Sequence, residues 1–169
     1  MDEHLAALSR EIGMICSMRK LLISTAESCT GGWAAEVITH TPGSSSWFER
    51  GFVTYANAAK TDMLGVLMHT IETFGAVSVE TAAEMASGAL LHSNATISLA
   101  ITGVAGPGGG SAEKPVGTVC FGWCAKDQAG AIQVPSCERR LFSGDRELIR
   151  RQAVVCGLSG LIERARNMP

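Results

Sequence analysis

Residues 21–39 read L-L-I-S-T-A-E-S-C-T-G-G-W-A-A-E-V-I-T. The first six form a short apolar run of the kind that makes a strand buried on both faces. Glu27 to Gly32 are polar or small and end in two glycines. From Trp33 to Thr39 the pattern is helical, with Ser28 or Thr30 as candidate N-cap, and Thr41-Pro42-Gly43 stops it. A strand that passes through a tight turn straight into a helix opens an α/β unit. Open sheets of that class place their ligands outside the carboxyl ends of the strands.

The same alternation continues on both sides. Leu5, Leu8, Ile12 and Ile15 fall at helical spacing within residues 3–18. Gly51 to Ala56 reads as a second strand, and Ala58 to Leu64 as a short helix ended by Gly65. Val79 to His92 predicts a helix capped by Ser78, with Ala82, Met85, Ala86 and Ala89 on its apolar face. Ala95 to Ile101 predicts a third strand, followed by a glycine-rich loop from Gly103 to Gly110. Val116 to Ala125 and Ala131 to Phe142 read as an antiparallel pair. A last helix runs from Asp145 to Arg166, with Ser143 or Asp145 as its cap. The economical arrangement is a single three-layer α/β/α domain over residues 1–169, with a mixed, partly parallel sheet. The apolar positions Ala153, Val154, Leu158 and Leu161 of the last helix could serve the core or a homo-oligomer.

The chain has 169 residues, 46% of them hydrophobic, enough for a real core. Only 18% are charged and the net charge is -2, which argues against a nucleic-acid partner. No apolar run is long enough to span a membrane, and the acidic start Asp2-Glu3 is unlike a signal peptide. The expected location is cytoplasmic. Six cysteines are scattered without a C-x-x-C pair, and four histidines show no paired-ligand spacing. They read as reduced thiols and ordinary histidines, with no metal and no cofactor.

Two loops follow predicted strands and could meet a ligand. Ser28, Thr30 and Gly31 lie in the first, where backbone N–H groups and hydroxyls can face an anion or carbonyl oxygen; a plain capped helix start is the other reading. Thr102, Gly103 and Gly106 lie in the second, whose glycines allow close backbone approach. Lys114 could bring a cation to the same rim. Arg146 sits in the first turn of the last helix, where the dipole disfavours a cation, and so could hold a phosphate; Arg150 and Arg151 read as solvent-facing or interface residues. Between the loops, residues 43–60 read G-S-S-S-W-F-E-R-G-F-V-T-Y-A-N-A-A-K. Ser45, Tyr55 and Lys60 are the parts of a metal-free acyl-transfer site, because a desolvated neutral lysine can activate a serine. They also read as a polar turn, a strand residue and a helix lysine.

Taken together, A-E-S-C-T-G-G, G-S-S-x-W-F-x-x-G-F-V-T-Y-x-N-x-A-K, G-A-V-S, I-T-G-V-A-G-P-G-G-G-S, K-P-V-G-T-V and F-S-G-D-R resemble the C-terminal domain of the competence/damage-inducible protein CinA. The likeness runs from about Leu21 to about Arg151. It implies an amidase whose small-molecule partner is nicotinamide mononucleotide, hydrolysed to nicotinate mononucleotide and ammonia in pyridine-nucleotide salvage. It also implies Ser45 as nucleophile, with Ser44 and Ser46 as alternatives in the same turn, and Lys60 as the base, acting directly or through Tyr55. Ser28, Thr102 and Arg146 match further active-site positions, while oxyanion donors are expected near Ser45 or the 102–110 loop. The larger family members carry an N-terminal nucleotide-pyrophosphatase domain, so that second activity is expected to be absent. A non-catalytic nucleotide-binding module linked to competence or DNA damage is the alternative. It would keep the glycine loops without needing Lys60. An amidase or esterase for another small amide is the third reading.

The absence of ligand spacing among cysteines and histidines makes one measurement decisive for the chemistry. Ammonia release from nicotinamide mononucleotide is expected to persist in EDTA; loss on chelation, restored by zinc, would contradict a metal-free mechanism.

Overall fold

In the computed structural model, which describes residues 1–168, the chain builds one five-stranded sheet. The strands are β1 (Ile23–Glu27), β2 (Phe48–Val53), β3 (Ile97–Gly103), β4 (Thr118–Ala125) and β5 (Ser136–Leu141), in the order β2-β1-β3-β4-β5. β1 runs parallel to both β2 and β3, and β4 runs antiparallel to β3 and β5. The helices are α1 (Glu3–Arg19), α2 (Trp33–Thr39), α3 (Asn57–Leu64), α4 (Met68–Phe74), α5 (Val79–Leu91) and α6 (Arg146–Asn167).

Alternation along the strands divides the side chains into two unlike faces. Ile23, Leu99, Ile101, Val119, Phe121 and Trp123 point to the layer of α1, α2 and α6 and make the larger core. On the other face Ser24, Ala26, Ser98, Ala100 and Gly122 are small, and α5 comes in close. Ser24 Oγ donates to the Ala89 carbonyl and Ser98 Oγ to the Ala86 carbonyl of that helix, at 3.2 and 2.7 Å. α3 and α4 pack in turn on α5. The expected mixed sheet between two helical layers is thus observed.

Several boundaries differ from the sequence reading for identifiable reasons. β2 begins at Phe48 and ends at Val53, because its partner β1 ends at Glu27, in register with Val53. Tyr55 therefore lies beyond the strand. α4 has no forerunner in the sequence reading; it is short, closed by Gly75, and buries only Thr70 and Ile71. β5 starts at Ser136, and residues 126–132 instead form a turn fastened by Asp127, with a single bridge between Lys126 and Ile132. Asp145, one of the two candidate caps, accepts the Leu148 N–H at the start of α6. Ala153, Val154, Leu158 and Leu161 are buried within the chain, so this face of α6 serves the core and no oligomer contact. Arg151 is paired with Asp2.

The order β2-β1-β3 makes β1 the point where the chain changes direction across the sheet. The crossover through α2 covers one face and the crossover through α3, α4 and α5 covers the other. The loops leaving β1 and β2 therefore diverge at the carboxyl edge, beside the loop leaving β3, and open a crevice there.

The close seat of α5 can be tested through its glycines. A Cβ at Gly88 would lie 2.0 Å from the Leu64 carbonyl oxygen, and one at Gly122 would lie 2.4 Å from that of Ala82. Gly88→Ala and Gly122→Ala are each expected to destabilise by about 1–3 kcal/mol, read as lower urea midpoints. Gly108→Ala, whose Cβ meets nothing within 4 Å, should leave the midpoint unchanged.

Candidate active site

The crevice at the carboxyl edge is a cavity of about 300 Å³ whose lining includes Ser28, Tyr55, Lys60, Thr102, Gly106 and Arg146. Five segments build it: the turn after β1, the loop from β2 into α3, the connection between α4 and α5, the glycine-rich loop after β3, and the first residue of α6.

Lys60 is the most unusual residue in it. It points inward from α3, is 1% exposed, and is the largest fully buried side chain. Its Nζ lies 3.1 Å from Ser28 Oγ, 2.8 Å from the Thr54 carbonyl oxygen and 3.4 Å from that of Tyr55. No carboxylate is bonded to it among the described residues. Burial disfavours the charged form, so its pKa is pushed below the ordinary lysine value. A buried amine in contact with a serine hydroxyl can act as a general base.

Ser28 owes its place to the turn around it. The Glu27 carboxylate, 1% exposed, reaches forward to accept the N–H groups of Gly32, Ala34 and Ala35 at 3.1, 3.0 and 2.9 Å. It does the work expected of Ser28 or Thr30 as N-cap. The cap position itself is Gly32, with φ 100° and no side chain to offer. Arg150 donates to the Cys29 and Thr30 carbonyls, so it faces this turn instead of solvent. Neither residue was singled out as functional from sequence. The legible signals were a carboxylate at the end of an apolar strand and an arginine four residues after Arg146, on the same helical face. Cys29, against the same cavity, is buried, which pushes its thiol up to about 12.

The expected meeting of Ser45 with Lys60 is corrected by the strand between them. Ser45 lies in a single 3-10 turn, Ser44–Ser46, just ahead of β2, whereas Tyr55 and Lys60 follow its far end. A six-residue strand spans roughly 17–20 Å, so Ser45 sits at the opposite, amino end of the parallel strands. It is exposed, and its neighbours Ser44 and Ser46 donate to the carbonyls of Thr39 and Gly43. The serine brought to Lys60 is Ser28.

The other expected residues divide between two hollows. Tyr55 gives Lys60 its carbonyl; its phenol is turned outward, where Oη accepts a hydrogen bond from Arg146 at 2.9 Å. Arg146 also donates to the Gly106 carbonyl at 2.8 Å, joining the loops after β2 and β3 across the mouth. Thr102 Oγ1 donates to the Ala76 carbonyl and ties down the α4–α5 connection. Gly103 is packed against Val119 and Cys29, and Gly106, with φ 79°, leaves no room for a Cβ beside Val116. Thr30 and Gly31 line an adjoining hollow of about 570 Å³ with Trp33, Glu36 and Arg150, which meets the first at Arg146. Lys114 does not line the cavity; it donates to the Phe74 carbonyl at the end of α4. Among the described residues no group of three or more histidines, cysteines or carboxylates could hold a metal, and no helix is long and apolar enough to cross a membrane.

The family model of the CinA C-terminal domain matches residues 5–165. The nicotinamide-nucleotide amidohydrolase PncC of Escherichia coli (strain K12) is 49% identical over 160 residues, which are 95% of this chain and 94% of that protein. The PncC of Pseudomonas putida is 51% identical over 141 residues, 83% of this chain and 84% of that one. In three dimensions, the competence/damage inducible protein CihA from Agrobacterium tumefaciens superimposes with a TM-score of 0.88 at 47% identity, covering 96% of both chains. With the family's domain matched almost from end to end and its fold reproduced, this chain belongs to the CinA C-terminal domain family.

Proposed function

We propose that the protein is a nicotinamide-nucleotide amidase that uses Ser28 as nucleophile and Lys60 as its base. The observation that carries this is the buried contact between Lys60 Nζ and Ser28 Oγ, in the cavity at the carboxyl end of the parallel strands. The family relatives named for this activity support the substrate.

A neutral amine has two N–H groups and one lone pair. The Thr54 and Tyr55 carbonyls take the two N–H groups, which leaves the lone pair facing Ser28. The Ser28 proton passes to Lys60 as Oγ bonds to the carboxamide carbon, and the carbonyl oxygen becomes an anion. Lys60 then gives that proton to the leaving nitrogen; ammonia departs and an ester to Ser28 remains. Water, deprotonated by Lys60, adds to the ester and releases nicotinate mononucleotide while Ser28 regains its proton. The positive pyridinium ring of the nucleotide draws electrons from the carboxamide, which favours the nucleotide over free nicotinamide. Arg146 at the mouth offers a cation for the phosphate, and the loop from Thr102 to Gly109 walls the ribose side. Binding at those remote points holds the amide for attack. The reaction would return the amide nucleotide to pyridine-nucleotide salvage as its acid.

Two outcomes are expected. Ser28→Ala and Lys60→Met should each lower ammonia release from nicotinamide mononucleotide by about a thousandfold or more, with Ser45→Ala within about threefold of wild type. Loss in Ser45→Ala and not in Ser28→Ala would reverse the assignment, and an inactive folded wild type would favour the non-catalytic module. The second outcome concerns pH. Lys60 has a lowered pKa in the folded protein and an ordinary one, 10.5, in the unfolded chain. Activity should therefore rise with pH through the folded value. Between that value and 10.5 the unfolded chain holds the extra proton, so stability gains with pH. Lys60→Met should be more stable than wild type at neutral pH, by a margin that narrows toward pH 10.5; a constant margin would show that Lys60 titrates normally.

A further inference from the structure

The turn after β1 uses most of its own backbone donors. Ser28 N–H bonds the Ile101 carbonyl at 2.9 Å, Gly31 N–H the Ser28 carbonyl at 3.0 Å, and Trp33 N–H the Thr30 carbonyl at 3.2 Å. Gly32 N–H goes to Glu27. Among the described residues, two donors of this turn remain. They are the N–H groups of Cys29 and Thr30, neither of which is bonded to another residue of the protein. Buried backbone donors are almost always paired, so a free one beside a candidate nucleophile points to a ligand atom.

Arg150 sets the direction of that donor. It is half-buried on α6, and its guanidinium carbon lies 5.4 Å above the centre of the Trp33 ring. Its Nε donates to the Cys29 carbonyl at 3.0 Å and its Nη2 to the Thr30 carbonyl at 2.9 Å. The peptide joining Cys29 to Thr30 is trans. In a trans peptide the C=O and N–H point in opposite directions. The Cys29 carbonyl drawn to Arg150 therefore turns the Thr30 N–H away from it. Arg150 and Thr30 line the hollow beside α2, whereas Ser28 and Cys29, just ahead of the Cys29–Thr30 peptide, line the cavity that holds Lys60.

We infer that Arg150 is a positioning residue: by gripping the Cys29 and Thr30 carbonyls it aims the Thr30 N–H at the oxygen that gains charge when Ser28 adds to the carboxamide. This rests on the amidase reading of Ser28 and Lys60. Arg150 itself does not touch the substrate. A lysine cannot replace it, because one ammonium does not hold two carbonyls in a fixed fork.

The test compares wild type, Arg150→Met and Arg150→Lys in three measurements. The first is turnover of nicotinamide mononucleotide. Both variants should lose about a hundredfold in kcat, the usual effect of one oxyanion donor, with KM changed by less than about threefold. The second is binding of pyridine-3-boronic acid, in which Ser28 Oγ bonds to boron, the hydroxyl proton passes to Lys60 and boron takes the negative charge. That affinity should fall in step with kcat. The third is binding of the planar product, nicotinate mononucleotide, which should be unchanged. Arg150→Lys keeps charge and stem, and so guards against a misfolded Arg150→Met. Unchanged kcat with unchanged boronate affinity, or boronate and product affinities falling together, would overturn the role of Arg150. A wild type that does not hydrolyse the nucleotide would instead sink the amidase reading; a selective loss of boronate affinity in the variants would still uphold the aimed donor.

Discussion

A single buried carboxylate holds together the place where strand, turn and helix meet. Glu27 closes β1 and gives its two oxygens to three backbone N–H groups at the start of α2. A carboxylate out of water is costly unless it is fully bonded, and bonds to an ionised acceptor are the stronger kind. Here the acceptors are used on the spot, so the chain must leave the strand and begin the helix within a few residues. Ser28 is the first residue of that enforced turn. Its backbone is fixed by Ile101 on one side and its own carbonyl is taken by Gly31, which leaves its hydroxyl to face Lys60.

The other half of the pair depends on the small-residue face of the sheet. Ser24, Ser98 and Gly122 let α5 settle against β1, β3 and β4, and Gly88 lets α3 settle against α5. α3 is consequently pressed down over the carboxyl edge with Lys60 beneath it. Thr102, bonded to Ala76, draws the α4–α5 connection over the same edge. The depth at which the lysine lies is thus set by helix packing some distance from any substrate.

The sequence made the α/β class, the parallel first unit, the antiparallel final pair and the helix capped by Ser78 legible, because each carries its own local signal in period, cap or turn residues. Lys60 was legible as a candidate base held neutral by burial; the element that buries it, α5 packed against α3, was not legible as its cover. The weakest inference was contiguity. Ser45, Tyr55 and Lys60 lie within one run of the chain, yet β2 carries that run from the amino end of the parallel strands to their carboxyl end. Ser28 lies 32 residues from Lys60 in sequence and 3.1 Å from it in space, because parallel strands return the chain to the same edge. The roles of Glu27 and Arg150 are hidden for a different reason: their partners are backbone N–H groups and carbonyls, whose availability depends on the fold and not on residue type.

The surroundings of Lys60 suit both of its charge states. As an ammonium it has three N–H groups, and three acceptors stand around it: Ser28 Oγ and the carbonyls of Thr54 and Tyr55. As an amine it keeps the two carbonyls and turns its lone pair to the serine. The proton can therefore arrive and leave without moving a heavy atom. In bulk water each change of charge would force the solvent shell to reorient. Here the dipoles are already set by the peptide groups just ahead of α3, so the reorganisation is completed when the chain folds and need not be repeated at each change of charge.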